Sequence, residues 1–259
     1  NINQIIREEM NAIGGQELKL TGLQDPEVWQ ASGRWSDEVC DVWFRTELKN
    51  GTVLGLGPTH EEPLVRAVKP FIGSYRDLPK MAYQIQTKFR NELRAKSGVM
   101  RGREFLMKDL YSFARDEAEH QRLYDLIKET YLKVYERLGI GESTYLTFAS
   151  GGMFAKYSHE FQTVCDAGED IIYIDEEKRL AINEEVFNDE VLTELGVDKS
   201  KVIQKKAAEV GNIFTLGEKY SAPLELTYTD ETGVEHNVFM GSYGIGPSRL
   251  VGVIAELTG

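Results

Sequence analysis

Apolar residues first recur at helical spacing in IIREEMNAIGG, where Ile5, Ile6, Met10 and Ile13 share a face and Gly14-Gly15 follows. The spacing predicts a helix with one stripe to bury and a glycine stop. GTVLGLGPT reads as a strand entering a turn. Thr59 is placed to cap a helix over HEEPLVRAV, with Glu62 completing a capping box and Pro63 tolerable in the first turn. YQIQTKFR alternates strictly, with Ile85, Thr87 and Phe89 on one side and Gln84, Gln86, Lys88 and Arg90 on the other. That pattern predicts a strand with a polar working face. REFLMKDLYSF is its expected antiparallel partner across a basic loop, Arg94 to Gly102.

A long helix is predicted from Asp116 to Leu138, with Leu123, Ile127, Tyr131, Val134 and Leu138 on one face and Gly139 past its end. Strands of the same sheet are expected between Gly151 and Asp175. The segment from Glu176 to Glu209 is acidic and weakly periodic, and reads as peripheral. LELTYTD and VEHNVFMG form a hairpin pattern that leads to GSYGIGPSRLVGVIAEL, read as a glycine-rich turn followed by an apolar helix. Antiparallel hairpins with helices around them predict an α+β fold.

With 259 residues, 41% hydrophobic and 28% charged, and no repeat or linker, the chain reads as one main domain. No apolar run approaches the roughly 20 residues of a membrane span, and residues 1–20 lack a signal-peptide centre. This places the chain in the cytoplasm or an organellar matrix, without a membrane partner. Cys40 and Cys165 are too few for a disulfide framework or a cysteine-rich zinc site, so two free thiols are expected. The net charge of -12 argues against a protein that coats nucleic acid. Eleven Lys or Arg residues against three acids from Arg66 to Lys108 reverse that balance locally.

Within that basic stretch, Arg90 and Glu92 face the same side if the strand continues, one suited to an anion and the other to an amino group. Arg101 and Phe105 return on the facing strand, and a guanidinium beside an aromatic ring suits a nucleotide. An exposed, salt-bridged hairpin is the competing reading. GSYGIGPSR lacks the Lys-Ser/Thr of a P-loop, but Arg249 falls in the first turn of the helix behind it with no acid beside it in sequence. His60-Glu61-Glu62 and His159-Glu160 look like metal-ligand clusters, yet neither is HExxH. Each equally reads as a polar wall of a substrate pocket, with Glu61 facing a cation.

Taken in order, these segments resemble the catalytic domain of the bacterial-type prolyl-tRNA synthetases, a family of class II aminoacyl-tRNA synthetases. Residues 1–35 are similar to motif 1, GLGPTHEE to the substrate loop, residues 83–113 to motif 2 and residues 241–257 to motif 3, and GGMFAKYSHEF and AGED also match. The resemblance implies an antiparallel sheet flanked by helices, a homodimer, and ATP- and Mg2+-dependent activation of L-proline followed by transfer to the acceptor end of tRNA(Pro). By resemblance, Arg90 holds the ATP α-phosphate and the proline carboxylate, Glu92 the adenine amino group, Phe105 the adenine ring and Arg249 the γ-phosphate. Arg101 lies near the phosphates. Thr59 and Glu61 grip the imino cation, His159 and Phe113 bound the ring, and Ser242 lies at the pocket floor. No dedicated protein metal site is implied; Mg2+ arrives with ATP.

Three departures qualify the resemblance. Thr21-Gly22 stands where the family usually has a proline. About residues 176–210 replace a large editing domain, which predicts no editing in cis, and no anticodon-binding domain is recognised. Weakened transfer to tRNA is therefore expected. An activating paralogue with another acceptor and a non-catalytic regulator on the same fold are the alternatives.

Overall fold

The computed structural model describes all residues except Arg94, Lys96, Ser97 and 152–156. Those residues of the basic loop and of GGMFAKYSHEF lie outside the described structure. In chain order the elements are α1 (Ile2–Ala12), β1 (Gln16–Glu17), β2 (Leu23–Gln24), α2 (Pro26–Ala31), β3 (Phe44–Glu47), β4 (Val53–Leu56) and α3 (Glu61–Val68). Then come β5 (Lys80–Phe89), β6 (Glu104–Ala114), α4 (Glu117–Arg137), β7 (Thr144–Ser150), β8 (Tyr157–Val164), β9 (Asp170–Asp175), β10 (Leu180–Asn183) and α5 (Asp189–Leu195). The last are β11 (Ile203–Gly217), β12 (Thr227–Thr229), β13 (Glu235–Asn237), β14 (Phe239–Ile245) and α6 (Pro247–Thr258).

Among the described residues, nine strands form one sheet in the order β1-β5-β6-β14-β11-β8-β7-β10-β9. Its centre is antiparallel; β1 with β5 and β10 with β7 are parallel. This is the expected α+β arrangement. The helices α1, α4 and α6 cover one face, where Ile6, Met10, Ile127, Tyr131, Val134, Leu250 and Val253 pack against Tyr83, Leu110, Phe161, Ile213 and Tyr243. Over its lower part the opposite face is covered by α3, through Leu64, Val65 and Val68 on Ala82, Tyr111, Phe113 and Met240. Higher on that face the sheet opens into a cleft.

Alternation in β5 decides what meets each layer. Tyr83 faces the helices, while Gln84, Gln86 and Lys88 face the other way and are buried, Lys88 at 0% exposure. Burying them requires partners. Gln84 Nε2 donates to Asp109 Oδ2 (2.9 Å), Gln86 Nε2 to the Leu20 carbonyl (2.6 Å), and Lys88 pairs with Asp109 (2.8 Å). The polar face is therefore a buried foundation for its upper end rather than an open surface.

Three expectations are corrected. The tail of the segment read as peripheral is β11, a central strand paired with β14, β8 and β9. Exposed Lys205 and Lys206 near its start hid the buried Ala207, Ala208 and Val210. The motif read as a glycine turn is mostly the strand β14. Glycine is required by close approach here: a Cβ on Gly244 would lie 2.8 Å from Asn212 Oδ1, and one on Gly211 of the neighbouring β11 would overlap the Tyr135 hydroxyl. The capping box does not form. His60 is the N-cap of α3 without a side-chain cap bond, Thr59 Oγ1 turns to the Glu61 carboxylate, and Glu62 is drawn to Ser32 and Arg34.

Candidate active site

The cleft lies where the β5–β6 hairpin, β11, β14 and the start of α6 meet. Arg90, Glu92, Arg101, Phe105 and Arg249 all line it, with Met107, Glu169, Asp170, Glu209, Asn212, Gly244 and Ser248. The five residues singled out for a nucleotide thus share one cavity although Arg90 and Arg249 are far apart in sequence.

Because β5 ends at Phe89, Arg90 and Glu92 sit in the loop beyond it, not on a continuing strand. The loop is fixed by its backbone: Arg90 N donates to the Arg103 carbonyl (2.9 Å) and Glu92 N to the Arg90 carbonyl (2.8 Å). The Arg90 side chain donates through Nε to the Pro58 carbonyl (3.1 Å), and its guanidinium carbon stands 5.3 Å from the Phe105 ring centre. Burial lowers its pKa, with Glu209 and Glu61 opposing; an arginine still remains charged under these conditions. Arg101 donates to Glu92 (2.6 Å) and to Glu169 (3.0 Å).

Arg249, which has no acid beside it in sequence, has one in space. Pro247 and Ser248 open α6, and Arg249 donates to the carbonyls of Met100 (2.8 Å) and Glu209 (2.7 Å), with the Glu209 carboxylate at 3.4 Å. Sequence could not reveal this pairing because Glu209 belongs to β11. Burial next to Glu209 pushes the Glu160 carboxyl up to about 8, and burial also raises Asp170. This end of the sheet therefore combines concentrated cations with carboxylates held protonated more readily than usual.

The other predicted residues divide. Thr59 Oγ1 donates to both Glu61 carboxylate oxygens (2.8 and 2.7 Å), and the Pro58 contact puts this loop against Arg90. Ser242 is buried opposite Tyr111 and Phe214 on the cleft face of β14. Phe113 is wholly enclosed in the core under α3. His159 is on the helix side of the sheet, where its Nδ1 meets the Tyr124 hydroxyl (2.8 Å), and burial lowers its pKa to about 4. The structure does not bring His159 or Phe113 into the cleft. Strand alternation was the available signal: His159 is in phase with Phe161, which packs on Tyr131 and Tyr135.

Two groups escaped sequence reasoning. One is Arg34, which reaches both Glu61 (3.1 Å) and Glu62 (3.2 Å). The other is the set Lys88, Asp109, His60 and Tyr111. Lys88 donates to His60 Nδ1, His60 Nε2 donates to the Thr21 carbonyl (3.0 Å), and the His60 backbone N–H donates to Tyr111 Oη (3.2 Å). Lys88 carried a signal as part of the polar face of β5 and His60 as part of His60-Glu61-Glu62, but nothing in the sequence joined them to each other or to Asp109 and Tyr111. The metal reading of His60-Glu61-Glu62 finds no support, since these side chains are committed to Lys88, Arg34 and Ser32.

A mostly antiparallel nine-stranded sheet flanked by helices, with an arginine-rich cleft at its open end, has the architecture of a class II synthetase core. Residues 44–258 match the model of the tRNA synthetase class II core domain (G, H, P, S and T). The chain belongs to that family. It is 37% identical over 267 residues to a proline–tRNA ligase of Wolbachia sp. subsp. Drosophila simulans, covering 99% of this chain and 63% of that one. It is also 38% identical over 270 residues to a proline–tRNA ligase of Anaplasma marginale, with the same coverage. The chain thus spans less than two thirds of these relatives.

Its fold matches a prolyl-tRNA synthetase from Cryptosporidium parvum complexed with L-proline and AMP (TM-score 0.73, 16% identity, 100% of this chain and 44% of that one). It also matches a Giardia lamblia prolyl-tRNA synthetase in complex with prolyl-adenylate (TM-score 0.76, 14% identity, 100% and 46%).

Proposed function

We propose that this chain activates L-proline with ATP, forming prolyl-adenylate and pyrophosphate, and delivers the prolyl group to the 3′ end of tRNA(Pro). The observation that carries the reading is the single cleft holding Arg90, Glu92, Arg101, Phe105 and Arg249. It fits ATP: Phe105 offers a ring face for adenine, Glu92 an acceptor for its amino group, and the guanidiniums charge for the phosphates.

The proline carboxylate is already a nucleophile near neutral pH, so no general base is needed. One of its oxygens attacks the α-phosphorus and pyrophosphate leaves. Arg90, between the Thr59–Glu61 loop and the cleft, aligns that carboxylate and neutralises charge on the α-phosphate; Arg249 takes charge at the far phosphate. Glu61 and Thr59 hold the imino cation, and Ser242 supports the pocket floor. Mg2+ supplies further neutralisation when bound. Glu209, a carboxylate of the cleft wall, would offer one ligand to an ion held chiefly by phosphates.

The finer reading includes a homodimer in the cytoplasm or an organellar matrix. Exposed Leu23, Leu48 and Val53 on or beside the small sheet β2-β4-β3 support an association surface. Among the described residues no helix is long and apolar enough to cross a membrane.

ATP–pyrophosphate exchange tests the reading. Proline-dependent exchange is expected, and prolyl transfer to a tRNA(Pro) transcript separates a ligase from a paralogue with another acceptor. Absence of exchange with proline or any other amino acid would contradict it.

A further inference from the structure

Beneath the proposed proline site, one guanidinium serves two carboxylates. Arg34 Nη1 lies 3.1 Å from Glu61 Oε2 and 3.2 Å from Glu62 Oε2, and all three side chains are at most 5% exposed. Arg34 holds its guanidinium between two aromatic rings. Its guanidinium carbon is 5.2 Å from the Trp29 ring centre and 5.1 Å from that of Tyr220, and its carbonyl accepts from Trp43 Nε1 (2.8 Å). Glu62 also accepts from Ser32 Oγ (2.6 Å), and Glu61 from Thr59.

Ionised, Arg34, Glu61 and Glu62 carry two negative charges and one positive; the other cations that act on Glu61, Lys88 and Arg90, are matched by Asp109 and Glu209. An unbalanced charge at such burial is costly unless a counter-charge arrives or a proton is taken up. The unbalanced side opens at Glu61, next to Thr59 and Arg90.

We propose that Arg34 and Glu62 are positioning residues for the amino-acid site: they orient Glu61 and keep the cluster one negative charge in excess, which the imino cation of the substrate balances. This rests on the function proposed above. Two consequences follow. A neutral or anionic ligand group in that position leaves the excess uncompensated, so the cluster selects for a cation. Protonating Glu62 removes the excess, so binding and the Glu62 proton oppose each other.

The titratable and charged groups that face Glu62 are Arg34 and Cys40 from the segment after α2, Glu61 on α3, and Tyr220 beyond β11. Burial raises Glu62 to about 7, with Arg34 opposing and Glu61 reinforcing. Burial holds the Cys40 thiol and the Tyr220 hydroxyl above their ordinary values, and the two carboxylates keep Arg34 charged. Glu62 is therefore a carboxyl raised toward neutrality within this group. His60, lowered to about 4, stays neutral there. A cation bound at Glu61 favours ionised Glu62, and by linkage ionised Glu62 favours the cation by the same factor.

The test is the KM for proline and for ATP in pyrophosphate exchange from pH 6 to 8, for wild type, E62Q and R34K. The wild-type KM for proline should fall about tenfold between pH 6 and pH 8, a coupling of ordinary size for two linked sites. E62Q should lose that slope and stay at or above the acid-side wild-type value, with kcat and the KM for ATP moving far less. R34K, which loses the planar guanidinium held between the Trp29 and Tyr220 rings, should raise the KM for proline at every pH. Glu160, which is raised to about 8, lies beside Glu209 of the nucleotide cleft, and its contribution survives in E62Q.

A purely structural role would lower the thermal midpoint of the variants but leave the proline slope intact, and that result would overturn the proposal. A flat wild-type profile would overturn it without any variant. If wild type shows no proline-dependent exchange, the function reading fails and this inference falls with it; exchange with an unchanged E62Q slope defeats the inference alone.

Discussion

Lys88 Nζ sits 2.6 Å from Nδ1 of His60, and neither side chain is exposed to solvent. The contact joins β5, which ends one residue before Arg90, to the loop that carries Thr59 and Glu61. Both halves of the proposed amino-acid grip are thereby tied to one foundation. Burial lowers the Lys88 pKa, and Asp109 opposes that loss of charge.

Lys88→Met should destabilise the fold by about 3–5 kcal/mol, the range for removing one partner of a buried ion pair. K88M/D109N should recover part of the loss, because the orphaned charge goes as well. Guanidinium unfolding of the three proteins measures this; a K88M midpoint equal to wild type would count against a buried pair.

Glu160 gives a pH signature. Its pKa is raised to about 8 in the folded chain, against an ordinary value of 4.5. Between those values the folded state holds the proton and the unfolded state has released it, so this carboxyl destabilises the fold increasingly as pH rises. Glu160→Gln should therefore stabilise the protein by an amount that grows with pH, with a limiting slope of about 1.4 kcal/mol per pH unit. Unfolding free energies at pH 5 and pH 7.5 show it; an effect independent of pH would refute the shift.

At the crossing of β11 and β14, Gly211→Ala should cost about 1–3 kcal/mol through overpacking against Tyr135 and the Gly244 carbonyl. Adding Tyr135→Phe should relieve part of the cost. Full wild-type stability in G211A would mean that the strand and α4 are not in close contact here.

Alanine should be activated measurably, since a pocket built for proline rejects a smaller apolar ligand by only about 1–3 kcal/mol. Residues between β9 and β11 form β10 and α5, with a small core of Phe148, Ile182, Val186, Val191, Leu192 and Val197. They are proposed to stand in place of an editing domain, so mischarged product should persist. The alanine-dependent exchange rate checks the first point; no alanine activation would show a pocket more selective than burial allows.

Periodicity made much of the framework legible: α1, α4, the β5–β6 pair and the β12–β13 hairpin lie where the pattern put them. The spacing of Arg90, Glu92, Arg101 and Phe105 exposed one wall of the cleft, and the family resemblance supplied its ligand. β11 was missed because a strand buried over only part of its length has no uniform pattern. Glu209 escaped with it. Arg34 was missed for another reason: a single arginine between tryptophans has no spacing signal, and its partners lie 27 and 28 residues away. His159, placed at the proline ring by resemblance, is turned by strand phase toward Tyr124.

The central claim is that Arg90 aligns proline and ATP for adenylate formation. The most direct measurement is proline-dependent ATP–pyrophosphate exchange by Arg90→Ala, alongside its circular dichroism and thermal midpoint. The account expects exchange to vanish while the folded spectrum is retained. Exchange near the wild-type rate in a folded R90A protein would contradict it.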